Sequence, residues 1–437
     1  MFQRMGPRLS WHHPKPVVLG GGPTCISRFD GRWVTAGWNI SATRSEAAAT
    51  PRLCVRCDNA RVIYLDHAAT APPDPRVVEA MLPHLTERFG NPSEPHALGR
   101  QARADLDAAR EEIASLVRAN PADVVLTGGG TEADNLAVLG RAQGQPGRMV
   151  VSAIEHPAVR RTAEVLARRG WEIAVAPVLP NGRLDLIELW DLVQTGDALV
   201  CVMGASNVTG VVQPIADIAA ICAEHAVPLH VDDVQTAAGA ELDLSDLPGR
   251  VTIALAAHKL GGPRGVGAVI GSGVQSLDPI VFGGGQESGL RPGTEDVAGA
   301  VALAAALRIR QGGEAPAERV RRAALRDDLE ARLGLPMVGA EVERLPGHAL
   351  LLTGYRGDTV VRLFDERGIA ISAGSACASG ETLPDATLTA MDIDDDAARS
   401  AIRITLGPTT TPADVDAVVA AWTELAPALH VAAEASA

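Results

Sequence analysis

From residue 62 onward, short apolar runs alternate with longer segments whose apolar positions recur every three or four residues. The runs are Asp123–Thr127, Met149–Ala153, Glu172–Val178, Ala198–Met203, Pro228–Asp232, Val251–Ala256 and Val266–Gly271. Apolar runs of this length, bounded by turn residues, read as strands. Helix-like segments lie between the early runs, at Thr131–Gln143, Ala158–Arg169, Asp185–Thr195 and Ile215–His225. Strands alternating with helices at this spacing predict βαβ units and a mainly parallel sheet. Only a glycine-rich turn separates the last two runs, which are expected to add an antiparallel edge. A glycine-rich loop, Gly283–Gly293, then leads into one long Ala/Arg-rich helix, about Asp296–Arg332. Shorter strands and helices follow to Ala426 and read as a second, smaller α+β domain.

Residues 1–60 differ. They contain Trp11, Trp33 and Trp38, are rich in turn residues and keep neither a period of 2 nor one of 3.6. The expectation is an irregular extension, disordered or arising from a start placed too far upstream. Cys54 and Cys57 form a lone C-x-x-C there, but a structural zinc needs four ligands and no second pair follows, so no metal site is expected. The predicted organisation is the 1–60 extension, a large domain over 75–312, and a small domain built from 62–74 and 313–430.

Composition narrows the function. The net charge of -14 argues against a surface that neutralises nucleic-acid phosphates. No run of 18 apolar residues and no apolar leader core occurs, so neither a membrane span nor a signal peptide is expected. Six scattered cysteines suit a reducing cytoplasm. Lysine occurs only twice, at Lys15 and Lys259. Any chemistry that needs a neutral amine must use one of them, because arginine does not deprotonate in proteins.

Three segments carry candidate chemistry. In VVLTGGGTEADN, a strand runs through Gly128, Gly129 and Gly130 into Thr131 and a helix, a form that offers backbone N–H groups to a phosphate. In PLHVDDVQ, a strand ends at Asp232, with Gln235 three residues on, where α/β sheets bind ligands. In ALAAHKLGGPRGVG, Lys259 ends an apolar run beside His258, and a lysine in apolar surroundings can form a Schiff base. An anion site, a carboxylate and a lysine together suit pyridoxal 5'-phosphate (PLP), which needs one for its phosphate, one for its ring nitrogen and one for its aldehyde.

The chain also carries YLDHAATAP (Tyr64–Pro72), FGNPSEPHALG (Phe89–Gly99), TGGGTEADN (Thr127–Asn135), EHPAV (Glu155–Val159), HVDDVQ (His230–Gln235), HKLGGPRGVGA (His258–Ala268), FGGGQESGLRPGTEDV (Phe282–Val297) and SAGSACASG (Ser372–Gly380). These motifs, in this order, closely resemble the cysteine desulfurases of the class V aminotransferase family, over about Val62 to Ala426. The Gly-Ser-Ala-Cys loop resembles the iron–sulfur-assembly branch. The resemblance implies the aspartate-aminotransferase-like PLP-dependent transferase fold and a homodimer. It also implies that Lys259 holds the cofactor and moves the Cα proton, that Asp232 pairs with the ring nitrogen, and that Gln235 bonds the phenolic oxygen. His156 would stack on the ring and act in acid–base steps. Thr131, Gly130 and His258 would bind the phosphate, with Thr294 reaching the phosphate of the neighbouring subunit. Asn207 and Arg403 would hold the substrate carboxylate, and Cys377 would be the nucleophile.

The expected function is conversion of L-cysteine to L-alanine in the cytoplasm, with a persulfide on Cys377 passed to an acceptor protein, either a scaffold or a tRNA-thiolation enzyme. Direct nucleic-acid binding is not expected. Selenocysteine lyase, another class V PLP enzyme, or a catalytically silent sulfur-transfer scaffold are the alternatives. Three positions depart from the family pattern: Ala256 where Ser or Thr is usual, Val208 in Ser206-Asn207-Val208 where the family has Asn-Asn-Glu, and Asp233 where a small residue is usual. Cys201 and Cys222 read as core.

Overall fold

The structure, a computed structural model, describes residues 24–29, 32–37, 62–374 and 385–434. The chain divides into two units, Met1–Asp58 and Asn59–Ala437. In the first, β1 (Thr24–Phe29) and β2 (Arg32–Gly37) form an antiparallel hairpin in which Phe29 faces Arg32. The expectation of irregular chain there is corrected for these residues. Both strands are rich in β-branched and aromatic residues, and the sequence between them is Asp30-Gly31, a pair that favours tight hairpins.

The second unit opens with β3 (Ile63–Tyr64), α1 (Pro75–Thr86) and α2 (Ala97–Leu116). Asp74 caps α1 by accepting from the Arg76 N–H, and Pro75 stands at its first position, where a missing N–H costs nothing. The buried stripe of α2, Ala102, Leu106, Ala109 and Ile113, keeps the three-to-four spacing of an amphipathic helix.

Four strand–helix pairs follow: β4 (Val124–Thr127) with α3 (Gly130–Arg141), β5 (Arg148–Ser152) with α4 (Pro157–Arg168), β6 (Glu172–Ala176) with α5 (Leu186–Leu192), and β7 (Val200–Met203) with α6 (Ile215–Glu224). Then come β8 (Leu229–Asp232), β9 (Val251–Ala256), the single turn α7 (Ala257–Leu260) and β10 (Gly267–Ile270). These strands form one seven-stranded sheet in the order β4-β10-β9-β8-β7-β5-β6. The run from β9 to β6 is parallel, and β10 is antiparallel to both of its neighbours. The antiparallel strand therefore lies inside the sheet, with β4 at the edge, and is not itself the edge. All four residues of β10 are buried, so its backbone needs partners on both sides. Adjacency in sequence supplied one partner and was blind to the other.

The long helix expected after this sheet is two helices, α8 (Val297–Gln311) and α9 (Ala315–Leu333). Gly312 and Gly313 separate them, and each glycine in a helix interior costs about 1 kcal/mol. The remainder comprises β11 (His348–Leu352), α10 (Gly357–Asp365), β12 (Ile369–Ala370), β13 (Ser372–Ala373), α11 (Ala386–Ala390), α12 (Asp395–Arg399), β14 (Ala401–Thr405) and α13 (Pro412–Glu434). Strands β11, β14 and β13 form a small sheet, and β12 pairs in parallel with β3. One core packs the large sheet against its helices through Leu106, Ile113, Val202, Ile253 and Leu303. A separate core joins Leu65, Leu329, Phe364, Ile404 and Trp422. No helix among the described residues is long and apolar enough to cross a membrane.

Candidate active site

Because β4, β7, β8 and β9 run the same way, their C-terminal ends meet at one end of the sheet, where open α/β sheets bind ligands. A cavity of about 470 Å³ opens there. Gly130, Thr131, His156, Asn207, Asp232, Gln235, His258 and Lys259 all line it.

The glycine loop reaches this cavity because its neighbours are also glycines. Gly129 sits at φ 140°, a conformation that side chains disfavour. A Cβ on Gly267 would stand 2.7 Å from the Gly129 backbone, so only glycine lets β10 pass under the loop. Gly129 is the N-cap of α3 and supplies no side-chain cap, which leaves the first N–H groups of the helix facing the cavity. Glu132 fixes the loop by accepting from the Gly128 N–H at 2.7 Å and from Arg291 at 2.9 Å. Ala256 lines the cavity beside this cradle and brings no hydroxyl to it.

Lys259 lies on the single turn α7 and not at the end of β9. The strand stops at Ala256, and the left-handed Gly261 ends the turn. Its amine donates to the carbonyls of Ala68 and Ala69. Burial, and secondarily the Arg403 charge, lowers its pKa to about 8. An amine so placed reaches the neutral, nucleophilic form far more readily than an ordinary lysine.

Asp232 ends β8 and is buried, and burial raises its pKa. A cationic ring nitrogen is the partner that would keep such a carboxylate ionised. His156 caps α4 with Nδ1, accepting from the Ala158 N–H at 3.1 Å, and burial lowers its pKa. That bond fixes the ring at the mouth of the cavity. The Gln235 amide donates to the Ala68 carbonyl at 2.9 Å and keeps a second N–H. His258 Nδ1 meets the Thr70 hydroxyl at 3.1 Å.

Arg403, on β14, is not part of the cavity lining. Its guanidinium donates to the Asn207 carbonyl and to Asp66, each at 2.8 Å, while its buried Nε has no hydrogen-bond partner. Thr294 is exposed on the loop before α8 and is not among the residues that line the cavity. Cys377 lies outside the described residues, as do Cys54 and Cys57. Val208 is core, packed with Val338, Leu350 and Met391. Cys201 and Cys222 are buried and unbridged, and burial pushes the Cys222 thiol up to about 12. Asp233 is buried against Gly204, where an added Cβ would meet its carboxylate at 2.0 Å.

Sequence reasoning passed over Asp134, His230 and Arg264, which the fold brings to or beside this site. A signal existed for His230: it stands two residues before Asp232 on one strand, hence on the same face.

The residues present fit PLP: an amine of lowered pKa, a buried carboxylate and an uncapped helix start converge on one cavity of suitable size.

The class-V aminotransferase family profile matches residues 63–418. The cysteine desulfurase IscS of an Anaeromyxobacter species is 41% identical over 369 residues, covering 82% of this chain and 90% of that protein. A solved NifS-like protein superposes with a TM-score of 0.78 at 31% identity, covering 83% of this chain and 99% of that one. A structure titled as SspA in complex with cysteine superposes with a TM-score of 0.71 at 29% identity, over 80% of this chain and 100% of that one.

Proposed function

The chain belongs to the class-V aminotransferase family, and from that premise we propose that it is a PLP-dependent cysteine desulfurase. It takes sulfur from L-cysteine and leaves L-alanine. The observation that carries this reading is the meeting of Lys259, Asp232 and the α3 N-terminus in one cavity. The relatives named as cysteine desulfurases support the choice of substrate.

Bound PLP would supply an electron sink for the pair released when the substrate Cα–H bond breaks. The residues act around it. The N–H groups of Gly130 and Thr131, with His258, would hold the phosphate. Asp232 would keep the ring nitrogen charged. Gln235 would donate its free N–H to the phenolic oxygen, and His156 would lie beside the ring. Lys259, anchored between two carbonyls, takes the proton from Cα and returns it later. Arg403, exchanging Asp66 for the substrate carboxylate, and Asn207 hold the substrate in place.

The Cys377 thiolate attacks the substrate sulfur. A sulfur–sulfur bond forms, the carbon–sulfur bond breaks, and its electron pair stays with carbon, which takes up one proton to become the methyl of alanine. The persulfide passes to an acceptor protein, and the sequence motif around Cys377 supports an iron–sulfur-assembly scaffold or a tRNA-thiolation enzyme. Thr294, exposed on its loop, would complete the phosphate site of a second subunit in a homodimer. The composition suits the cytoplasm.

The test separates the two halves of the reaction. Cys377→Ser should take up PLP and bind L-cysteine, with persulfide and alanine falling to background, because a hydroxyl is a poor nucleophile toward sulfur. Full alanine release by that variant would overturn the role given to Cys377. Equal or greater turnover of selenocysteine by the wild-type protein would favour the lyase reading.

A further inference from the structure

A second carboxylate stands beside the one assigned to the ring nitrogen. Asp134, on α3, offers an oxygen that lies within 4.8 Å of ligand atoms on both His156 and Asp232. Its side chain is buried, and its one hydrogen-bond partner among the described residues is His230, Oδ1 to Nε2 at 3.2 Å. His230 is fully buried on β8 and shares a strand face with Asp232. Its other nitrogen meets the Thr252 hydroxyl, on β9, at 3.0 Å.

One assignment of these bonds gives every group a partner. The Thr252 hydroxyl also faces the Leu229 carbonyl at 3.5 Å, which can only accept. With its hydrogen directed there, Thr252 accepts from Nδ1–H. A neutral His230 then has a lone pair on Nε2, and only a protonated Asp134 can satisfy it. Burial holds His230 neutral, with a pKa of about 4, and burial raises that of Asp134. The groups facing Asp134 point the same way: Asp232 and His230 from β8, His156 and Glu155 ahead of α4, and Cys201 from β7. Two buried carboxylates this close do not both ionise.

We propose that Asp134 is a positioning residue: its carboxyl carries a proton, donates it to Nε2 of His230, and leaves Asp232 as the ionised carboxylate that meets the cofactor ring. The part concerning Asp232 rests on the PLP reading. The part concerning the proton on Asp134 does not, so the two fail separately.

The test uses the full-length protein, first without cofactor. Infrared difference spectra at neutral pH, wild type minus Asp134→Asn, should contain the carbonyl stretch of a protonated carboxyl group. A carboxylate band in its place overturns the proposal. PLP is then titrated in. Asp134→Asn keeps a neutral donor toward His230, so its PLP dissociation constant and the pH midpoint of its visible band should match wild type. Asp134→Leu leaves Nε2 unpaired, so His230 no longer holds its place beside Asp232, and PLP binding should weaken by about 10-fold. If Asn and Leu weaken binding equally, the donor role is wrong. If Leu does not fold, the infrared result on Asn still decides. Failure of wild type to bind PLP would sink the cofactor reading while leaving the infrared outcome intact.

Discussion

The amine of Lys259 donates to the carbonyl of Ala69 at 2.9 Å, so the first segment of the main unit closes over the side chain on the turn after β9. The two backbone acceptors, Ala68 and Ala69, aim the amine while burial lowers its pKa to about 8. It is also the only lysine after residue 15. Lys259→Ala should therefore give a protein with no borohydride-reducible PLP adduct and no measurable alanine release. An adduct that persists in the variant would move the anchor elsewhere.

The start of the main unit sets how much chain can be removed. β3 pairs with β12 at Ile63 and Tyr64, and the Ala68 N–H donates to the Thr405 hydroxyl at 3.0 Å. A protein beginning at Val62 should keep PLP binding and turnover, measured by cofactor absorbance and alanine yield. One beginning at Asp74 should lose both, since it lacks the acceptors of the lysine and the partner strand of β12. Loss of PLP binding on removal of residues 1–61 alone would show that the extension serves the site.

Ala256 offers a gain-of-function test. It lines the cavity next to the glycine cradle, where the family pattern has a hydroxyl. Ala256→Ser should tighten PLP retention by about 0.5–1.5 kcal/mol, the net worth of one hydrogen bond. An unchanged off-rate for PLP would mean that the phosphate does not reach this position.

Asp233 makes stability depend on pH. Burial raises its pKa from 3.8 to about 7 in the folded protein. Between those values the native state holds a proton that the unfolded chain has released. Its stability contribution is thus complete in acid and is lost as pH rises through the folded value. The swing is up to about 4 kcal/mol by linkage. Asp233→Asn should flatten the pH dependence of Tm for the cofactor-free protein and raise Tm above wild type at pH 8. A parallel pair of Tm curves would refute the assignment.

The architecture was legible in the sequence because every large-sheet strand is a compact apolar run. Val251–Ala256 was bounded to the residue, since all six positions are buried and a glycine-bearing turn follows soon after. The place of β10 inside the sheet was not legible, because it depends on β4, far back in the chain. The break between α8 and α9 was visible as Gly312-Gly313 but was outweighed by the alanine-rich helical pattern around it. The groups lining the cavity were found through motifs that hold several functional residues within a few positions. Asp134 and His230 escaped because their relation exists only across α3 and β8. Arg403 was found by motif, yet its tie to Asp66 is a product of the small sheet meeting β3.

The pairing of β3 with β12 also fixes when the protein becomes competent. Residues 63–68 take their hydrogen bonds from Gly368, Ala370 and Thr405, near the far end of the chain. On the ribosome the large sheet and Lys259 emerge well before those partners do. Until β14 is free of the exit tunnel, the stretch that seats the lysine amine lacks its Thr405 partners and is held only by Gln235, the Lys259 turn and β12. A chain cut short before β14 therefore keeps the lysine but loses one of the strands that hold its seat.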